Sequence, residues 1–225
     1  MTGVQTCALP ISPAETERST QILSTALRVV IALTLPAAVA AWFYLPPLVQ
    51  LVFEGRAFTP AATKLVVFAA RLYFAGLLGH AVMELAARAF YARKDSLTPT
   101  LVALACMLLQ VALALGLTQI KALDFGGLAL ANSIAFSVQA LALLVLLHTR
   151  RQAIDARHVL HGFAHTALAT VVMGGVLWLG VRSANNLWQL AGIAVLAAAI
   201  YAGLLLASGF DELRGLGRNL PGTAA

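Results

Sequence analysis

PTLVALACMLLQVALALGLT, residues 99–118, holds no charged side chain, and its only amide is Gln110. The run does not alternate apolar with polar residues, as a membrane barrel strand would. Its length is close to the roughly 20 residues that carry a helix across a hydrocarbon core. No water inside the bilayer can satisfy backbone N–H and C=O groups, so only helices and closed barrels span it, and a continuously apolar run selects the helix. Five further runs share this character: residues 29–53 and 65–91 before it, and 125–147, 159–181 and 187–209 after it. The sequence therefore predicts an all-α polytopic membrane protein with six transmembrane helices.

Composition agrees. Of the 225 residues 60% are hydrophobic and 11% charged, and the mean hydropathy is +0.87. A soluble domain carries roughly 25% charged residues, so lipid must solvate most of this surface. The formal net charge of +6 does not point to nucleic acid, because no basic stripe with interleaved aromatics exists. Lys and Arg sit instead in the connections between apolar runs. Nine of them (Arg18, Arg28, Arg93, Lys94, Arg150, Arg151, Arg157, Arg214 and Arg218) fall on one side if the runs cross in alternation. Four (Arg56, Lys64, Lys121 and Arg182) fall on the other, with Arg71 and Arg88 left inside the second run. The excess places both termini in the cytoplasm.

Residues 1–12, MTGVQTCALPIS, have no basic n-region and no adequate apolar stretch, so they are not a signal peptide. They resemble the translation of a sequencing adaptor, and the chain is expected to be a fragment whose own sequence begins after them. Residues 13–28 form a polar lead-in that can be amphipathic. Four spans occupy residues 29–147, a basic cytoplasmic connection 148–158, a final pair of spans 159–210 and a cytoplasmic tail 211–225. Pro36, Pro46 and Pro47 interrupt the first span, where proline frees carbonyls and kinks the axis. Gly174, Gly175, Gly192 and Gly203 suit close helix packing in lipid.

The second span holds the chemistry. His80, Glu84 and Arg88 are spaced i, i+4, i+8 and stack along one face, continued by Tyr73 and Leu77. An ionised group facing lipid at mid-depth costs at least roughly 2.5–3.5 kcal/mol, so the stripe must meet protein or water. One reading is a cavity that takes a polar, anionic ligand or couples to protons through His80 and Glu84. The other is an ion pair, Glu84 with Arg88, that fixes helix packing. Arg71, on a different face, is a weaker cavity candidate and reads as an interface arginine. Gln110 and Asn132 read as interhelical hydrogen-bond partners or members of an ion site.

Cys7 and Cys106 make neither a disulfide framework nor a metal site. His158, His161 and His165 share a helical face, but only Asp155 lies nearby to complete a metal-ligand set. No nucleotide-binding loop, nucleophile elbow, zinc-protease motif or paired-carboxylate site occurs. No enzyme, metal or cofactor is expected.

Three segments carry a family resemblance. FEGRAFT (53–59) resembles the F-x-R-G-x-F turn of the MurJ/MviN lipid II flippases, with Gly55 and Arg56 exchanged. ARAFYARKDSLTP (87–99) resembles that family's ARAFYA-x-x-D-x-x-TP connection, and GGLALANS (126–133) its G-L-A-L-A-T-S helix opening. The resemblance implies a fourteen-helix exporter fold that moves lipid II, the undecaprenyl-linked peptidoglycan precursor, across the bacterial plasma membrane by alternating access. This chain would supply helices nine to fourteen: four from the second lobe, and a final pair whose groove takes the polyprenyl tail. The first lobe, with most of the headgroup-binding arginines, would be missing from it. Membrane lipids and lipid II, or a related polyprenyl-linked glycan, would be its partners.

Two departures from the family pattern matter. Glu84 stands where many members carry a basic residue, and Gln110 with Ala114 where many carry two Asn, or Asn and Asp, a turn apart, which puts a cation site built on that pair in question. An exporter of another lipid-linked glycan or of drugs, or a non-transporting scaffold for lipid-linked precursors, stays open beside the flippase reading.

Overall fold

The computed structural model describes residues 13–53, 59–121, 123, 125–151, 156–183 and 186–207. The adaptor-like start, most of the FEGRAFT turn and the C-terminal tail lie outside these. Seven helices are present and, among the described residues, no strand: α1 (Pro13–Phe53), α2 (Pro60–Ala75), α3 (Leu77–Ala92), α4 (Leu97–Leu117), α5 (Gly126–Arg151), α6 (Ala156–Ser183) and α7 (Leu187–Ala207). They make six spans long and apolar enough to cross a membrane, because α2 and α3 together form one, Pro60–Ala92. The polar lead-in is helical and runs without a break into the first span. The basic connection is largely helical as well, since α5 reaches Arg151 and α6 starts at Ala156.

The sequence reads 65–91 as one helix, whereas the structure breaks it at Gly76. A Cβ there would lie 2.5 Å from the Cα, Cβ and Oγ of Ser133 on α5. One turn on, a Cβ at Gly79 would lie 2.8 Å from the Cα of Ser137. The glycines thus let the α2–α3 junction press its backbone onto α5. At the break the Gly76 N–H bonds to the Tyr73 carbonyl at 3.0 Å. That turns it away from Leu72, four residues back, and the Leu72 carbonyl accepts from the Ser133 hydroxyl instead.

The core has two parts with α1 between them. Leu23, Leu27 and Ile31 of α1 pack with Val82, Ala86 and Phe90 of α3 and with Ala140, Leu143 and Leu147 of α5. The next residue, Ala32, belongs to the other cluster, with Ala169, Met173 and Leu177 of α6 and Ala197, Tyr201 and Leu205 of α7. α4 packs on α5 and leaves Leu101, Leu104, Met107, Leu108, Val111 and Leu115 exposed, an apolar face for lipid. Cys106 is buried. Of the four glycines expected at helix contacts, Gly174 alone meets a neighbour, Val39. A Cβ on Gly175, Gly192 or Gly203 would meet nothing within 4 Å. Helical position alone does not place a glycine at a seam; what faces it decides, Ser133 and Ser137 at Gly76 and Gly79 but Ile193 of α7 at Gly180.

Pro36 and Pro46 lie inside α1 without ending it. Each lacks the N–H that would serve the carbonyl four residues earlier. Side chains from other helices fill both gaps: the Tyr201 hydroxyl of α7 donates to the Ala32 carbonyl, and Arg71 Nε of α2 donates to the Trp42 carbonyl at 3.2 Å.

Candidate functional site

His80, Glu84 and Arg88 all lie on α3 and all three are exposed. The opposite face of the same helix, with Val82, Met83, Ala86, Ala87 and Phe90, is buried. The i, i+4 spacing brings the ions together. Glu84 Oε1 accepts from Arg88 Nε at 3.2 Å and from Nη2 at 3.0 Å. His80 sits edge-on to Phe136 of α5, ring centres 4.3 Å apart, so the imidazole is oriented by the neighbouring helix. No described part of the chain covers this stripe: the Arg88 side chain is 71% exposed and Glu84 58%. Inside a membrane such a face must meet water or further protein, because acyl chains would leave its charges unsolvated.

Arg71 stands apart from that stripe. Besides donating to the Trp42 carbonyl, it lies over the Trp42 indole, with Cζ 5.3 Å from the ring centre. The sequence gives an interface arginine; the structure adds that it repairs the backbone opened by Pro46. Gln110 of α4 donates through Nε2 to Asn132 Oδ1 of α5 at 3.2 Å. The amide pair therefore joins two helices, remote in sequence from the α3 stripe. His161 and His165 stack edge-on, 4.4 Å apart, while His158 accepts from Arg28 at 2.6 Å. Among the described residues no three His, Cys, Asp or Glu side chains gather to hold a metal ion.

The ARAFYARKDSLTP connection has a mechanical reading. Lys94 adopts a left-handed backbone, φ 59°, which turns the chain out of α3. Asp95 then accepts from the Thr98 N–H at 3.1 Å and from its hydroxyl at 2.9 Å, satisfying a donor at the start of α4. The D-x-x-T pattern is thus a helix-start clasp. It holds the end of α3, and Arg88 with it, in fixed relation to α4.

The sequence profile of the family Lipid II flippase MurJ matches residues 3–199. The chain belongs to the MurJ family. Among curated members, the Lipid II flippase MurJ of Burkholderia cenocepacia is 26% identical over 207 residues, covering 88% of this chain and 40% of that protein. The Probable lipid II flippase MurJ of Rhizobium meliloti is 32% identical over 149 residues, 66% of this chain and 28% of that one. A solved Lipid II flippase MurJ in an inward closed conformation superposes with a TM-score of 0.77 at 22% identity, over 89% of this chain and 41% of that one. The fold is therefore the MurJ fold. The chain spans about 40% or less of the MurJ proteins it matches, a share that agrees with six helices of fourteen.

Tyr201, Ser133 and the Trp42 carbonyl were not singled out by sequence reading. A proline four residues after a carbonyl does signal an orphan acceptor. Nothing local names its donor.

Proposed function

We propose that the chain is the second-lobe and final-pair portion of a flippase that moves lipid II across the bacterial plasma membrane by alternating access, with the open α3 stripe as part of the cavity wall. The observation that carries this is a His80–Glu84–Arg88 face left uncovered on a membrane span, in a chain matched to the MurJ family over residues 3–199. Water against that face would solvate the ion pair, and the guanidinium edge and the imidazole would face a polar, phosphate-bearing headgroup. A first lobe has to close the other side, since rocking about a shared site needs two halves. The charge bias of the connections supports cytoplasmic termini. The function is transport, with no catalysis asked of any residue.

The test uses the protein carrying both lobes. Glu84→Ala and Arg88→Ala should each lower the rate of lipid II flipping in proteoliposomes while leaving expression and membrane insertion intact. Normal flipping by both variants would remove the stripe from the transport path. Cysteines placed at 80 and 88 should react with a membrane-impermeant thiol reagent; if they do not, the face is dry.

A further inference from the structure

A second polar site lies away from α3, where α1, α2 and α6 meet. Trp42, Pro46, Pro47, Arg71, Trp178 and Arg182 surround an open cavity of about 330 Å³. Both cations lie over indole faces, Arg71 over Trp42 and Arg182 over Trp178, the latter with Cζ 4.4 Å from the ring centre. Stacking engages the flat face of a guanidinium and leaves its N–H edge free, the edge that matches phosphate oxygens in a fork. Arg71 has committed only Nε to protein, and among the described residues neither arginine is paired with a carboxylate. An adjoining hollow of about 240 Å³ shares Pro46 and Arg71 and adds Lys64, so three cations line two adjoining hollows with, among the described residues, no acidic side chain in their lining.

A third space, about 420 Å³, opens from the same point between α1 and the α2–α3 span. It shares Trp42 and Phe43 with the arginine cavity and continues along Leu35, Val39, Phe74 and Leu78. A cationic pocket with an apolar groove leading out of it has the shape of an amphiphile. Its depth fits as well, because Arg182 is in the last turn of α6 and tryptophans mark the headgroup level of a span.

We propose that this pocket binds the phosphate of an anionic phospholipid, with an acyl chain lying in the groove between α1 and α2–α3. The lipid would tie α6, and through it the final pair, to the first two spans. The inference is independent of the transport reading, since it uses none of the α3 stripe.

The test is fluorescence quenching of the purified chain in nanodiscs by phospholipids with brominated acyl chains. Trp188, 87% exposed, would answer to any lipid, so all measurements are made in a Trp188→Phe background that leaves Trp42 and Trp178. Brominated phosphatidylglycerol should quench at lower mole fraction than brominated phosphatidylcholine. Each arginine near a lipid phosphate contributes about a five-fold preference, so Arg182→Gln should lose about that factor and Arg182→Lys should keep most of it. Arg71→Gln should lose a similar factor; if it disturbs α1 through the Trp42 carbonyl, the Arg182 pair decides alone. Equal quenching by both lipids, or a preference that survives Arg182→Gln, would overturn the proposal. Loss of the phosphatidylglycerol preference on adding millimolar inorganic phosphate would overturn it too, showing a site for a free anion.

Discussion

The α2–α3 span against α5, and α7 against α1, are helix contacts joined in opposite ways. In the first, Gly76 and Gly79 face Ser133 and Ser137 so closely that no Cβ fits. In the second, Gly192 and Gly203 of α7 face open space. There α7 is tied to α1 by two tyrosine hydroxyls, Tyr201 to the Ala32 carbonyl and Tyr44 to the Leu190 carbonyl. The lesson is that lipid-embedded helices can be joined by backbone approach or by hydrogen bonds to spare carbonyls. The first demands a glycine where no Cβ has room, the second a donor of the right length.

The largest expected effect breaks the seam. Gly76→Ala and Gly79→Ala should each cost about 1–3 kcal/mol through overpacking, read as a lower thermal midpoint of the chain in detergent. Gly192→Ala and Gly203→Ala, with nothing to collide with, should be neutral or stabilise by up to about 1 kcal/mol. Equal effects at the two pairs would erase the distinction.

The hydroxyl tie comes next. Tyr201→Phe leaves a buried carbonyl without its donor and should cost about 1–3 kcal/mol. Pro36→Ala restores the backbone N–H to Ala32, so in that background the same substitution should cost much less. A double-mutant cycle showing no coupling would mean that Pro36 and Tyr201 are unrelated. The smallest effect belongs to the amide pair: Gln110→Leu should lose about 0.6 kcal/mol, the usual worth of an interhelical hydrogen bond in a membrane.

The spans were legible because an uninterrupted apolar run has one reading in lipid, as 99–118 illustrates. The polar stripe was legible too, since i, i+4 spacing puts His80, Glu84 and Arg88 on one face whatever surrounds them. That they are uncovered was not, because coverage depends on residues far away in sequence. The break at Gly76 was hidden for a different reason. Glycine is common inside membrane helices, and only its collision with Ser133 distinguishes it from the indifferent Gly192. Arg71 was half legible: Pro46 announces an unserved carbonyl at Trp42, but the donor 29 residues away is a tertiary fact.

The three borrowed donors also set a clock. Ser133 follows Leu72 by 61 residues and Arg71 follows Trp42 by 29, but Tyr201 follows Ala32 by 169. At roughly 5–20 residues per second of synthesis, the Ala32 carbonyl waits on the order of ten to thirty seconds after α1 is made. Until α7 arrives, that carbonyl needs another donor, such as water or the insertion machinery. Within these residues α1 is therefore made first yet is among the last of the described helices to be finished, and its completion reports that α7 has docked.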